Sequence, residues 1–99
     1  MSLIRIVRMT FREEEIDNFL SLFNQNKSKI RVFPGCQHLE LHRDLDHTNI
    51  LSTYSLWTGP EALENYRHSE LFKEVWKNTK ALFADKPVAF SHETLQTIK

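Results

Sequence analysis

The sequence predicts one small α+β domain with the element order β-α-β-β-α-β. Two kinds of periodicity support this prediction: apolar residues recur at helical spacing in some segments and alternate along the chain in others. Turn-forming pairs, Pro34-Gly35 and Gly59-Pro60, separate these segments. The chain has 99 residues, so we expect a single domain that spans residues 1–99.

The first predicted strand runs from Leu3 to Phe11, and apolar side chains fall on both of its faces. A strand with one face in water normally alternates between apolar and polar residues more cleanly. We therefore expect each face of the sheet to be covered. The apolar residues of one face are Leu3, Val7, Met9 and Phe11, and those of the other face are Ile4 and Ile6.

A helix is predicted over Glu13–Arg31, because apolar residues recur there at helical spacing. Acidic residues begin this segment and basic residues end it, an order that the helix dipole favours. Strands are predicted over Cys36–Arg43 and Ile50–Trp57. The short polar turn between them, Asp44–Asn49, indicates that they form a hairpin.

The second helical region is predicted to be split. Pro60 suits the first position of a short helix that ends near Arg67, and Ser69 is the expected N-cap of a longer helix over Glu70–Phe83. The last strand is predicted over Val88–Leu95. This order favours a ferredoxin-like antiparallel sheet with helices on one face. The other face then needs a partner, and a second copy stacked sheet against sheet is the simplest one.

Charge and cysteine content exclude several classes of protein. Lys and Arg together number 13, as do Asp and Glu, so the formal charge is zero and nucleic acid is not an expected partner. Cys36 is the only cysteine, which suits a reducing compartment. We find no signal peptide and no apolar stretch of about 20 residues, so we expect a cytoplasmic protein with no membrane partner.

The second strand carries the most polar row of potential site residues. Its two leucines are predicted to face one way, and Cys36, His38, Glu40 and His42 the other. That row would form a polar site if it faced the helices and a polar interface if it faced a second copy. His38, Glu40 and His42 could also converge on a metal ion, but their spacing does not require one, and we expect no metal.

One segment carries more information than the rest. Residues 57–72 read W-x4-A-L-x2-Y-R-x-S-x-x-F, in which an aromatic residue ends a strand, Tyr66 lies on a short helix and Ser69 starts the next helix. The chain also has an F-P-G-C turn at residues 33–36 and a closing strand after Lys86-Pro87. Together these features resemble the antibiotic-biosynthesis monooxygenase family of dimeric α/β-barrel proteins, over about residues 4–93.

The resemblance implies a homodimer with a pocket between the sheet and the two later helices. For some members it also implies cofactor-free oxidation of quinols or polycyclic phenols by O₂, which needs a proton acceptor at the phenol and a water-poor aromatic pocket. We therefore expect a small aromatic molecule and O₂ as partners, and no cofactor. The residues expected to handle protons are Tyr66, His38 and His42, and those expected to line the pocket are Trp57, Phe72, Trp76, Phe83 and His68.

Two other functions are compatible with the sequence. The first is a non-catalytic, dimeric small-molecule-binding or stress-related protein of the same fold, in which the same aromatic residues form a sensor pocket or core. The second is haem degradation, for which similar enzymes have an asparagine on the first strand, a tryptophan on the short helix and an axial histidine on the last helix. The aligned residues here are Val7, Tyr66 and Trp76, so haem degradation is disfavoured.

Overall fold

A computed structural model describes residues 2–99 and has the predicted element order, with four strands and three α-helices in that range. A short 3-10 turn at Glu13–Glu15 precedes the first α-helix. None of the helices is both long and apolar enough to cross a bilayer. The elements are β1 (Leu3–Thr10), α1 (Ile16–Arg31), β2 (Cys36–Arg43), β3 (Ile50–Trp57), α2 (Pro60–Arg67), α3 (Glu70–Lys80) and β4 (Val88–Glu93).

The last helix and the last strand end earlier than predicted. α3 ends at Lys80, because the turn that follows brings Phe83 into a β-bridge with Phe11. A residue in a continuing helix could not form that bridge. β4 ends at Glu93, which pairs with Leu3, the first residue of β1. The ladder therefore stops where its partner strand begins.

The four strands form one antiparallel sheet in the order β2-β3-β1-β4. β1 lies inside the sheet, where Leu3 pairs with Trp57 of β3 and with Glu93 of β4. β2 and β3 are neighbours, as the predicted hairpin requires. The topology is the ferredoxin-like one that the order of elements predicts.

The helices pack on one face of the sheet, and the buried residues form two clusters. Phe11 and Phe19 stack with their ring centroids 4.4 Å apart, which ties the end of β1 to α1. At the other end of the sheet, Trp57 is only 1% exposed. The first cluster contains Leu3, Cys36, Trp57 and Leu63, and the second contains Met9, Phe11, Phe19 and Leu51.

A β-bulge near the start of β2 changes which face one predicted site residue occupies. Cys36 pairs with Trp57 and His38 pairs with Leu56, so Gln37 is the extra residue. One extra residue reverses the alternation of side chains on either side of it. Cys36 is therefore buried on the helix-covered face, and the prediction that it lies in line with His38 is wrong.

Gly35 fixes the approach of β2 to the start of α2. Its φ of +90° is rarely adopted by residues with a side chain. A Cβ atom added there would lie 2.4 Å from the Ala62 Cβ and 3.1 Å from the Thr58 Oγ1. The Thr58 amide also donates to the Gly35 carbonyl oxygen at 2.9 Å. Only glycine lets the loop pass this close to the helix.

The opposite face of the sheet has no covering element within residues 2–99. Its register aligns Glu40, Tyr54, Ile6 and Phe90 across the four strands, and the adjacent row contains Leu56 and Ile4. Phe90 is 46% exposed. This face is apolar in its middle and polar along β2, where His38, Glu40 and His42 project.

Candidate functional site

A cavity of about 210 Å³ lies between the helix-covered face of the sheet and the three helices. Its base is formed by β1 and β3, where Val7, Met9 and Thr53 lie. The sequence predicts a pocket between the sheet and the two later helices. The cavity does lie between them, but α1 also contributes to its wall. The wall residues are mostly apolar: Phe19, Phe23 and Ile30 from α1, Leu63 and Tyr66 from α2, and Phe72, Val75 and Trp76 from α3.

Three of the predicted pocket aromatics and Tyr66 form a continuous chain of rings along the cavity. Trp57 and Tyr66 are stacked, with centroids 4.9 Å apart. Tyr66 meets Phe72 edge to face at 5.1 Å, and Phe72 stacks on Trp76 at 5.8 Å. Such aromatic contacts add stability beyond the area that they bury. The structure therefore brings together Trp57, Tyr66, Phe72 and Trp76.

Ser69 holds Tyr66 and Phe72 at their angle. Its hydroxyl donates to the Tyr66 carbonyl oxygen at 2.6 Å and accepts from the Phe72 amide at 3.1 Å. Ser69 is thus the N-cap of α3, as predicted, and it joins the end of α2 to the start of α3. The break between the two helices is what turns Tyr66 towards the first turn of α3.

The Tyr66 hydroxyl is a hydrogen-bond donor that is available to a ligand. Among the residues that the structure describes, none hydrogen-bonds this hydroxyl, and no buried side-chain oxygen or nitrogen atom is left sealed without a partner. Burial, and to a smaller degree the charge of Cys36, raises the pKa of Tyr66 above its ordinary value of 10.0. Tyr66 is therefore a neutral phenol that can donate to a ligand but does not serve as a base near neutral pH.

Trp57 is anchored to the sheet as well as to Tyr66. Its indole Nε1–H donates to the Ser55 Oγ at 2.9 Å. Ser55 is buried and its hydroxyl donates in turn to the Arg5 carbonyl oxygen at 3.4 Å. This relay satisfies the indole in an apolar setting. Trp57 is at once a core residue and part of the cavity wall.

Two cations line the cavity, and neither is among the site residues predicted from the sequence. Arg5 projects from β1 on the helix-covered face, and Arg67 lies at the end of α2. Burial, and then the positive charge of Arg67, lower the pKa of Arg5, which the charge of Glu64 partly opposes. The sequence does contain a sign that Arg5 is unusual, because it lies between Leu3 and Val7 in an otherwise apolar row of β1.

The two predicted histidines do not reach this cavity. His38 and His42 project from β2 on the opposite face of the sheet, where both flank the ring of Tyr54. Each Nε2–H donates to the Glu40 carboxylate, at 2.5 Å from His38 and 2.6 Å from His42. The sheet therefore separates them from Tyr66, and the three residues expected to handle protons are not brought together within one chain.

The other two predicted pocket residues, Phe83 and His68, lie outside the cavity lining. Phe83 packs on Phe11 at 5.3 Å and on Trp76 at 5.7 Å, because its backbone is held in the bridge to β1. The His68 side chain is 79% exposed, and its Nε2 lies 3.5 Å from the Glu64 carboxylate. Both residues flank the site without forming its wall.

Within residues 2–99 no group of three or more His, Cys, Asp or Glu side chains is arranged to hold a metal ion. The imidazoles of His38 and His42 are engaged with Glu40 instead. Burial raises the pKa of the Cys36 thiol, which disfavours the thiolate that metal binding or nucleophilic attack would need.

Comparison with known proteins identifies the family. The family model described as antibiotic biosynthesis monooxygenase matches residues 2–79. The chain belongs to the antibiotic biosynthesis monooxygenase family. No curated protein matches the chain significantly. The matched range contains the aromatic chain from Trp57 to Trp76 and the cap at Ser69, so the motif that carries the resemblance in the sequence also forms the cavity wall.

Solved structures with the same fold have low sequence identity to this family member. Rv0793 from Mycobacterium tuberculosis superposes with a TM-score of 0.89 at 16% identity, covering 100% of both chains. The crystal structure of an antibiotic biosynthesis monooxygenase gives 0.88 at 20% identity, covering 95% of this chain and 99% of that chain. SnoaB, a cofactor-independent oxygenase from Streptomyces nogalater, gives 0.85 at 20% identity, covering 98% and 96%.

Proposed function

We propose that this chain is a cofactor-independent monooxygenase that oxidises a small aromatic compound of the quinol or phenol type with O₂. The observation that carries the proposal is the apolar, aromatic-walled cavity into which Tyr66 can donate a hydrogen bond. Membership of the antibiotic biosynthesis monooxygenase family supports an oxidation. SnoaB, which has the same fold, is described as a cofactor-independent oxygenase.

The reaction needs no external electron donor, because a quinol supplies all four electrons that O₂ accepts. One oxygen atom is inserted into a ring C–H bond and becomes a new hydroxyl group. The other oxygen atom leaves as water, with the two hydrogens lost when the quinol hydroxyls become carbonyls. A quinol and O₂ thus give a hydroxyquinone and water.

Reaction with O₂ requires an electron-rich phenolate, and the cavity would stabilise one rather than generate it. No carboxylate or imidazole lines the cavity among residues 2–99, so that part of the chain supplies no base at the ring. We infer that water at the opening accepts the phenol proton. Tyr66 stays protonated because its pKa is raised, and its hydroxyl would donate to the phenolate oxygen.

The volume of the cavity favours a small substrate. An apolar cavity of roughly 150 Å³ accommodates benzene. The cavity here, at about 210 Å³, suits one ring or two fused rings and is too small for a polycyclic compound without rearrangement. Its apolar wall would also exclude water from the reactive intermediate.

We further propose a homodimer formed by the uncovered faces of two sheets. The apolar side chains of that face, which include the half-buried Ile6 and the exposed Phe90, would be buried against a second copy. His38, Glu40 and His42 would then lie at the interface rather than at the reacting ring. Light scattering tests this: Ile6→Glu should give monomers, and a wild-type chain that is already monomeric would contradict the proposal.

A non-catalytic small-molecule-binding role is the second candidate, and one observation favours it. The cavity has a hydrogen-bond donor and cations but, among residues 2–99, no side chain that can take a proton from a ligand near neutral pH. Such a cavity could hold an aromatic molecule without transforming it. Haem degradation is not proposed, because Trp76 occupies the position aligned with the axial histidine and no imidazole of residues 2–99 lines the cavity.

Oxygen uptake separates the two candidates. The pure protein, free of added cofactor, is incubated with one-ring and two-ring quinols and hydroxyanthrones in an oxygen electrode, with ¹⁸O₂ used to trace the inserted atom. We expect uptake with one- or two-ring quinols and one labelled oxygen atom per product molecule. If members of the panel bind but none causes oxygen uptake, the monooxygenase proposal is contradicted and the binding role is favoured.

A further inference from the structure

We propose that the cavity binds its ligand as an anion and that Arg5 is the residue that recognises the negative charge. The ligand class that follows is an aromatic oxyanion of one or two rings, either a phenolate or a ring carboxylate. This inference rests on the proposed function because it concerns the same cavity. It adds the charge of the ligand.

Arg5 is a cation in an apolar position. It projects from the central part of the sheet on the helix-covered face, in the same row as Leu3 and Val7, and it is partly buried. A guanidinium removed from water loses free energy of hydration unless an anion or hydrogen bonds replace that hydration. A fold that needed only packing would have an apolar residue in this row, so the charge points to a ligand.

The side chains around Arg5 in residues 2–99 do not include a carboxylate paired with it. Its Nη1 donates to the neutral Ser91 Oγ at 3.0 Å. The nearby acid, Glu64, is already engaged, with an oxygen atom 2.8 Å from the Arg67 Nη1 and the other 3.5 Å from the His68 Nε2. No carboxylate of residues 2–99 forms an ion pair with Arg5. One carboxylate thus faces two guanidinium groups, and the local field is positive.

An aromatic oxyanion would complete this arrangement. The guanidinium has five N–H donors, and its bond to Ser91 leaves the others able to bind a carboxylate or phenolate oxygen. Tyr66 lines the same cavity and offers one more donor. The ligand ring would then lie against Phe72 and Trp76, whose own stacking extends along the wall.

Calorimetric titration of matched ligands tests the charge without relying on turnover. The pairs are benzoate with benzamide, 2-naphthoate with 2-naphthamide, and 4-nitrophenolate with 4-nitroanisole, titrated into the full chain. Charge-assisted hydrogen bonds lead us to expect that an anion binds roughly 10- to 100-fold more tightly than its neutral partner. Equal affinity within every pair, or no binding by any member, would overturn the proposal.

Substitution of Arg5 tests the assignment to this residue. In Arg5→Gln the anions should lose their roughly 10- to 100-fold advantage, while the neutral ligands keep their affinity within about twofold. Arg5→Lys should keep part of the advantage, because the charge is retained but the fork of donors is lost. Arg43→Gln removes the same charge at an exposed position outside the cavity lining and should change nothing.

The outcomes distinguish this inference from the proposed reaction. An anion preference that survives unchanged in Arg5→Gln would contradict the role of Arg5, and the wild-type comparison stands even where a variant fails to fold. If only the carboxylates, or only nitrophenolate, bind more tightly than their neutral partners, the result identifies which anionic group the ligand carries. Either result supports the site. If anions bind preferentially but quinols are not turned over, the anion site is supported and the oxygenase proposal is contradicted. If quinols are turned over without any preference for anions, the oxygenase proposal is supported and the anion site is contradicted.

Discussion

The ring of Tyr66 lies stacked on the indole of Trp57, with centroids 4.9 Å apart and planes 27° apart. The two residues come from different elements, since Trp57 ends β3 and Tyr66 lies in the last turn of α2. Trp57 is 1% exposed and is held to the sheet through Ser55, so it provides a fixed surface for Tyr66. This contact sets the orientation of the phenol, whose hydroxyl has no hydrogen-bond partner among residues 2–99.

Removing the Tyr66 hydroxyl should lower activity without disturbing the fold. We expect Tyr66→Phe to reduce kcat/KM for a quinol about 10- to 100-fold, the effect of losing one hydrogen bond to an anionic oxygen. Its free energy of unfolding should change by less than about 0.5 kcal/mol, because the hydroxyl has no partner among residues 2–99. Oxygen uptake and urea denaturation measure the two quantities.

The pH dependence of that variant is a second readout. Because the pKa of Tyr66 lies above 10.0, this phenol does not titrate in the neutral range, and Tyr66→Phe should lower the pH–rate curve without shifting it along the pH axis. Tyr54→Phe makes the same chemical change on the opposite face of the sheet and should leave the rate intact. A shifted curve in Tyr66→Phe would instead assign the titration to Tyr66.

Ser55→Ala should destabilise the protein although it removes a single oxygen atom. The Trp57 indole N–H would be left buried without an acceptor, which costs roughly 1–3 kcal/mol. Urea denaturation measures the loss. Ser52→Ala is the matched control, because Ser52 lies on the same strand and projects to the opposite face. Equal stabilities of the two variants would mean that the Ser55 bond to the indole contributes little.

Gly35→Ala should be destabilising for two separable reasons. The positive φ costs roughly 1–3 kcal/mol for a residue with a side chain, and the new Cβ would lie 2.4 Å from the Ala62 Cβ. Ala62→Gly removes the second cause and not the first. In a double-mutant cycle, therefore, Ala62→Gly should rescue part of the loss, and strict additivity would show that only the backbone is strained.

The Glu40 carboxylate should stabilise the folded state at neutral pH and lose this effect in strong acid. Hydrogen bonds from His38 and then His42 lower the pKa of Glu40 below its ordinary value of 4.5. A carboxyl whose pKa is lower in the folded state stabilises that state above its unfolded pKa, and the contribution is lost as the pH falls through the folded pKa.

The comparison that tests this is Glu40→Gln against the wild type across an acid series. Denaturation at several pH values should show the largest stability difference near neutral pH and a shrinking one below about pH 4.5. Glu61→Gln, which removes an exposed carboxylate without a hydrogen-bond partner among residues 2–99, is the control. A difference that stays constant with pH would contradict the coupling of Glu40 to the two histidines.

The fold and one half of the site could be predicted from local sequence signals. The apolar residues on both faces of β1, the split at Ser69 and the turn at Gly35 each depend on neighbours a few residues apart in the chain. The aromatic wall was predictable in part for the same reason, since Phe72 and Trp76 lie one helical turn apart on α3 and Tyr66 lies just before the split at Ser69. Their spacing holds in any packing that keeps those helices.

The errors arose where the outcome depends on contacts between distant segments. Gln37 forms a bulge only because Cys36 is paired opposite Trp57, and that pairing moved Cys36 to the helix-covered face. Phe83 was predicted to end the last helix but instead forms a β-bridge with Phe11, which is distant in the sequence. Neither contact has a signature in the residues around the position that it changes.

The sequence by itself determined the element order, the apolar faces and the presence of a lone cation, Arg5, in an apolar row. Only the tertiary structure decided that this cation and Tyr66 line one cavity while His38 and His42 lie on the other side of the sheet. The physical reason is that periodicity fixes which face of its own element a side chain occupies. Strand register and helix packing decide which faces meet.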